Sequence, residues 1–304
     1  MGGSRNEHRK LRKLTGRDKA ALTAMAGIPA LLTTALIWIP AVGSIVLSFS
    51  KWNGIGGFGD IKWIGGRNYH DITHSYPPFT PAWHHNLIWF AVFVLVPAPL
   101  GLYLATQLDK RIKGSRIYQN IFFLPVVLSL ALVGFMVELI YAPEQGLINN
   151  LTGHTKPGNL VDWIGNPHLN LFAVLTLAVW RQTGYVMILW LAGLKAVDPA
   201  LREAAALDGA DEWQAFRHVV LPSLRPVTIV VSVITVVETL RAFDIVYVVN
   251  RGKNGLELLS TLVTDNIVGE AIRIGFGSAL ASILLVVSLL VIVPYLIVTF
   301  RRDD

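Results

Sequence analysis

The chain has 304 residues, of which 53% are apolar and only 15% charged, with a mean hydropathy of +0.52 and a formal net charge of +6. That much apolar surface exceeds what one water-soluble core can hide, and it points to a membrane protein. The chain contains no cysteine, which excludes disulfides, thiolate metal sites and cysteine nucleophiles.

A helix needs about 20 mostly apolar residues to cross the hydrocarbon core. Six such runs occur, at 21–49, 86–107, 117–142, 169–193, 226–249 and 274–300. Lipid cannot satisfy open backbone groups, so helices are the expected form, and the short alternating strands of a membrane barrel are absent from the pattern. The expected fold is all-α: a basic tail over 1–20 and a polytopic six-helix membrane domain over 21–304. The first run exceeds the h-region of a signal peptide and continues past Pro29 and Pro40, so it reads as an uncleaved span.

The loop after the first run carries two literal motif matches. Gly54-Ile55-Gly56-Gly57-Phe58-Gly59 fits GxGxxG, which binds dinucleotides only between a strand and the helix it opens; after a membrane span it reads as a turn-rich loop. His70 and His74, with Asp71 between them and His84-His85 nearby, have ligand spacing but read more simply as solvated loop residues. Asn150-Leu151-Thr152 is a glycosylation sequon and carries no weight here.

Lysine and arginine divide unevenly between the two sets of connections. Seventeen lie in the N-terminal tail, the second-to-third and fourth-to-fifth connections and the Arg301-Arg302 end, against seven in the alternate loops. By the positive-inside rule both termini and the 194–225 segment are cytoplasmic. The positive charge is then a topology signal and implies no nucleic-acid partner. The alternate loops, at about 50–85, 143–168 and 250–273, are too short for an independent domain, so capture of a solute outside falls to another protein. No GxxxxGK[ST] phosphate loop occurs, so energy for pumping has to come from a partner or an ion gradient.

Ionisable residues inside spans are costly and mark function or internal pairing. They are Glu138 near the end of the third run, Arg181 in the fourth, and Glu238, Arg241 and Asp244 in the fifth. Glu238 and Arg241 have i,i+3 spacing for an ion pair; mutual neutralisation and solute contact both fit.

Between the fourth and fifth runs, Asp198-Pro199 is a helix start and Arg202 to Leu207 are strong helix formers. Asp208-Gly209 interrupts with a turn. A second helix follows from about Asp211, with Trp213, Phe216 and Val220 on one face, and Leu221-Pro222 and Pro226 end it. The pattern alone fits equally a docking element and a hairpin lying on the headgroups of membrane lipid.

The residues themselves resemble the EAA loop of binding-protein-dependent ABC importer permeases: Glu203-Ala204-Ala205, then Gly209, then Leu221-Pro222, with Val219 where that loop has isoleucine. The resemblance runs from about residue 30 to 300. It is similar to the sugar-permease branch, through Arg116 to Asn149, Phe243 to Tyr247 and Leu259-Ser260-Thr261; Arg251-Gly252-Lys253-Asn254 departs from that branch's Gly-Gly-Gly-Pro turn.

That resemblance implies a MetI-like type I permease fold in the cytoplasmic membrane of a prokaryote. It implies a second homologous permease, a cytoplasmic ATPase dimer holding ATP and magnesium, an extracytoplasmic solute-binding protein and a carbohydrate cargo. No cofactor is then bound by this chain, and it is not itself an enzyme. Glu203, Ala204, Ala205, Asp208, Gly209, Ala210, Leu221 and Pro222 would couple to the ATPase, with Glu203 meeting an ATPase arginine. Gln182 and Tyr185 of the fourth span, and Thr235, Glu238, Thr239, Arg241 and Ala242 of the fifth, would line the path. A glycerol-phosphate-type solute, which Arg181 and Arg241 would meet, is the alternative cargo. An intramembrane enzyme is another class, disfavoured because no catalytic cluster is visible at one interface, and a gated channel is a third, distinguished by flux that would persist without ATP.

Overall fold

The structure is a computed structural model that describes residues 15–55, 57–110, 114–269 and 272–300. The basic residues before Thr15, together with Arg111, Lys113 and Arg301-Arg302, lie outside the described residues, as does Gly56 of the glycine motif.

The first membrane helix, α1, runs Gly16–Leu47 and so begins inside the segment expected to be tail. Thr15 caps it reciprocally with Asp18. Pro40 lacks an N–H and crowds the carbonyl four residues back, and the helix loosens to π geometry over Thr34–Trp38 just ahead of it. A hairpin of two-residue strands follows, β1 (Ser50–Lys51) against β2 (Lys62–Trp63), antiparallel with Ser50 opposite Trp63. The described glycines of the GxGxxG match lie in its connection, where only a three-residue 3-10 turn, Phe58–Asp60, follows Gly57 and no α-helix opens.

After α2 (Arg67–Ser75), α3 (Phe79–Asp109) starts seven residues ahead of the expected span and is interrupted at Val96, before Pro97. The third span departs furthest from expectation. It is two helices, α4 (Ser115–Val127) and α5 (Leu130–Ile140), turned 99° from each other. Pro125 weakens the ladder, Leu128 turns extended with ψ 138°, and Ser129 restarts the chain as an N-cap, its side chain accepting from the Leu132 N–H. A short α6 (Leu147–Thr152) leads to α7 (Asn170–Ala196), which matches its expectation closely and is the most enclosed span.

The connection expected at 194–225 holds α8 (Pro199–Leu207) and α9 (Glu212–Ser223); the chain then bends 68° into the fifth span. That span is α10 (Arg225–Leu240), interrupted at 241–243, and then α11 (Asp244–Asn250). Next come α12 (Leu259–Ile267) and a last span, α13 (Ile274–Phe300). Four helices are long and apolar enough to cross a membrane, and the number rises to as many as six when each of the two bent pairs, α4 with α5 and α9 with Arg225–Asn250, is taken as one span. The all-helical six-span expectation therefore holds, with its third and fifth members broken.

Packing centres on α7, which lies against the second half of α3, α4 and α10. Small residues allow this closeness: a Cβ at Gly101 would press on Val186, and one at Gly184 would collide with the Phe122 carbonyl oxygen. One cluster, containing Leu108, Met187, Trp190, Leu224 and Val231, sits at the end of the bundle that carries α8. A second joins Trp89, Val133, Val174, Ile245 and Leu256, and a third joins Ile72, Leu259, Phe276 and Leu280. By contrast, no residue of Gly16–Thr33 is buried; apolar side chains such as Met25, Leu31 and Leu36 face outward, as lipid or a neighbouring subunit requires.

Candidate functional site

The residues expected to couple form one compact hairpin. Asp198 starts α8, its side chain accepting from the Ala200 N–H at 2.9 Å, with Pro199 at the first helical position. The helix ends in a glycine cap of two nested bonds: the Gly209 N–H donates to the Ala206 carbonyl and the Ala210 N–H to the Ala205 carbonyl. Gly209 has φ +82°, a conformation L side chains rarely adopt. Asp211 then caps α9 in a reciprocal box with Gln214. Ahead of Pro222 the ladder again loosens to π geometry, over Phe216–Val220.

The hairpin projects its small residues outward. Leu201, Ala204, Ala205, Asp208, Gly209, Ala210, Gln214, His218 and Val219 line a groove of about 520 Å³ between its limbs. Glu203 and Ala204 are exposed, while Ala205 is buried. Leu221 and Pro222 are exposed at the turn toward α10. Val220 is buried as the apolar face expected, but Trp213 stands out of it, 66% exposed and stacked on Phe216. Leu207 is 89% exposed. Such side chains on a polar hairpin suit a protein partner more than water.

Two ion pairs tie this segment to α3. Arg202 Nη1 meets Asp109 Oδ2 at 2.9 Å, and Lys110 Nζ meets Glu212 Oε2 at 2.9 Å. The hydrogen bond and charge of Lys110 hold the Glu212 carboxyl below its ordinary value of 4.5. Sequence reading missed both pairs, because α3 and the hairpin are about 100 residues apart and only the fold brings them together.

The expected path residues divide by burial. Gln182, Thr235, Thr239 and Ala242 are buried, Tyr185 and Glu238 are half-buried, and Arg241 is exposed. Thr235, Glu238 and Thr239 share α10, where the Thr239 hydroxyl donates to the Thr235 carbonyl. Gln182 Nε2 and Thr235 Oγ1 are enclosed without hydrogen-bond partners. The Glu238–Arg241 ion pair does not form among the described residues; Arg241 is the C-cap of α10, exposed, while Glu238 is half-buried. Arg181 has a structural task instead: its Nε donates to the Leu128 carbonyl at 3.2 Å, where the third span breaks. A cation at a helix C-terminus satisfies an orphan carbonyl and opposes the helix dipole. His70 and His74, expected in a loop, lie on α2, exposed and stacked at 4.4 Å one helical turn apart, and no three-ligand metal cluster occurs among the described residues.

The family model for the inner membrane component of binding-protein-dependent transport systems matches residues 98–302, from mid-α3 through the coupling hairpin and beyond the last described residue of α13. The chain belongs to that family. Among its relatives, this permease is 30% identical over 299 residues to XacH, the xylose/arabinose import permease protein of Haloferax volcanii, across 96% of this chain and 92% of XacH. It is 31% identical over 289 residues to MalF, the trehalose/maltose transport system permease protein of Thermococcus litoralis, across 90% and 92% of the two chains. In fold the permease is similar to a chain of a bacterial ABC transporter involved in the import of the acidic polysaccharide alginate. The TM-score is 0.80 at 21% identity, covering 95% of this chain and 98% of that one. The all-α permease fold read from the sequence is therefore the fold observed.

Proposed function

We propose that this permease forms half of the carbohydrate pathway of an ATP-driven, binding-protein-dependent importer and couples to a cytoplasmic ATPase dimer through α8 and the Gly209 turn. The observation that carries this reading is the hairpin of residues 198–223, in a chain of this family, with an exposed Glu203, a groove of small residues and exposed Leu207 and Trp213. A rigid element of this kind, moved as the ATPase subunits close on ATP, would rock the spans between two access states.

Charge distribution supports a cytoplasmic location for both termini and for the hairpin. A second, homologous permease completes the path, and a separate binding protein delivers the solute. ATP and magnesium are held by the ATPase; this chain has no phosphate loop. The sugars named for XacH and MalF support a carbohydrate cargo. Hydroxyl, amide and aromatic groups at Thr235, Thr239, Gln182 and Tyr185 suit one chemically. Their burial means that the helix movement has to uncover them. Arg181 is committed to Leu128, which removes one of the two cations that favoured an anionic solute.

Affinity purification of the tagged permease from its host in mild detergent tests the reading. A second permease and an ATPase should accompany the wild type, and Glu203→Lys should lose the ATPase but keep the second permease. Isolation of the wild-type chain alone, where a known importer complex survives, would overturn the proposal.

A further inference from the structure

Helix α8 packs chiefly against α9 and makes little close backbone contact with the membrane bundle. Between α8 and the ends of α3, α4 and α7 lies a cavity of about 630 Å³. Apolar packing therefore does not fix α8 to the spans on that side. What crosses the gap is the Arg202 guanidinium. Its Nη1 meets Asp109, the last residue of α3, at 2.9 Å, and its Nη2 donates to the Leu194 carbonyl near the end of α7 at 3.4 Å. Asp109 is the more enclosed partner, its side chain 17% exposed against 40% for Arg202. The neighbouring Lys110 reaches Glu212 of α9, so consecutive residues at the end of α3 grip both limbs of the hairpin.

We propose that Asp109 and Arg202 are positioning residues forming a strut that transmits displacement of the coupling hairpin to α3 and α7. The proposal rests on the coupling role assigned above and adds the path by which motion leaves the hairpin. A guanidinium suits this task because its planar fork engages a carboxylate and a carbonyl together, fixing direction as well as distance. Lys110–Glu212, at 58% and 88% side-chain exposure, is a weaker auxiliary, since exposed pairs are screened by water. Glu203, one residue after Arg202, is exposed. One short helix thus presents neighbouring residues in two directions, Glu203 to a partner and Arg202 to the spans.

The test uses the complete complex in proteoliposomes and measures solute imported per ATP hydrolysed. Asp109→Arg and Arg202→Asp should each keep the ATPase bound and hydrolysing, while import per ATP falls between about twofold and thirtyfold, the range by which residues along a coupling route alter it. The double exchange should restore most of that ratio. Unchanged import per ATP in both single variants, or no recovery in the exchange, overturns the strut. If a single variant fails to assemble, the thiols of an Asp109→Cys, Arg202→Cys double variant, in a chain otherwise free of cysteine, can be joined by a short bifunctional thiol reagent. The joined complex should still import, and loss of import on joining overturns the strut. Failure of the wild-type complex to import with ATP would count against the coupling reading itself, which separates the two.

Discussion

Gly209 and Arg181 show how single residues set geometry here. Gly209 sits at φ +82° with open space where a Cβ would stand, so a side chain there meets backbone strain and no collision. Gly209→Ala should therefore cost about 1 kcal/mol locally and weaken ATPase retention in a pull-down, with Gly209→Asn milder because asparagine tolerates the left-handed region. Wild-type retention by Gly209→Ala would contradict the cap's role. Arg181→Leu leaves the Leu128 carbonyl without its donor and should lower stability by about 1 to 3 kcal/mol, read as a lower melting temperature of the purified protein. Arg181→Lys should recover part of it. Glu212 has a depressed carboxyl, held by Lys110. Its pairing is complete at neutral pH and disappears only as pH falls through the lowered value. Salt should weaken that exposed pair more than the half-enclosed Asp109–Arg202 pair.

At the scale of elements, what could be read from the sequence depended on how local its cause was. The hairpin of 198–223 was legible because Asp198-Pro199, Asp208-Gly209 and Asp211 are start, stop and restart signals within a few residues of what they control. The break at Leu128 was obscured by a long apolar run, although Pro125 followed by Ser129 was a visible clue. Its other half, Arg181, lies 53 residues away. The Glu238–Arg241 spacing is kept in the fold, where the Arg241 N–H still donates to the Val237 carbonyl, but spacing alone did not tell that Arg241 caps the helix end as an exposed residue. The start of α3 at Phe79 was missed because His84-His85 lowered the hydropathy of its first turns. Close packing of α4 on α7 depends on Gly184, where a side chain would strike the Phe122 carbonyl. Gly184→Val should cost at least about 1 to 3 kcal/mol by overpacking, seen as poor recovery of monodisperse protein. Normal recovery and melting would contradict that contact.

For the whole molecule, the exposed apolar surface and the outward-facing Gly16–Thr33 helix suit a subunit held in lipid and beside another permease. Family membership and the two proposals combine into one account, in which ATPase movement would enter at α8, pass through Asp109 and Arg202, and shift the spans around a saccharide path. The most direct measurement is uptake of a labelled sugar by proteoliposomes holding this permease, its partner permease, the ATPase and the binding protein. The account predicts uptake only with ATP, hydrolysable and present on the ATPase side, and loss of that uptake with Glu203→Lys. Sugar flux that continues without ATP, or that is unaffected by Glu203→Lys, would contradict it.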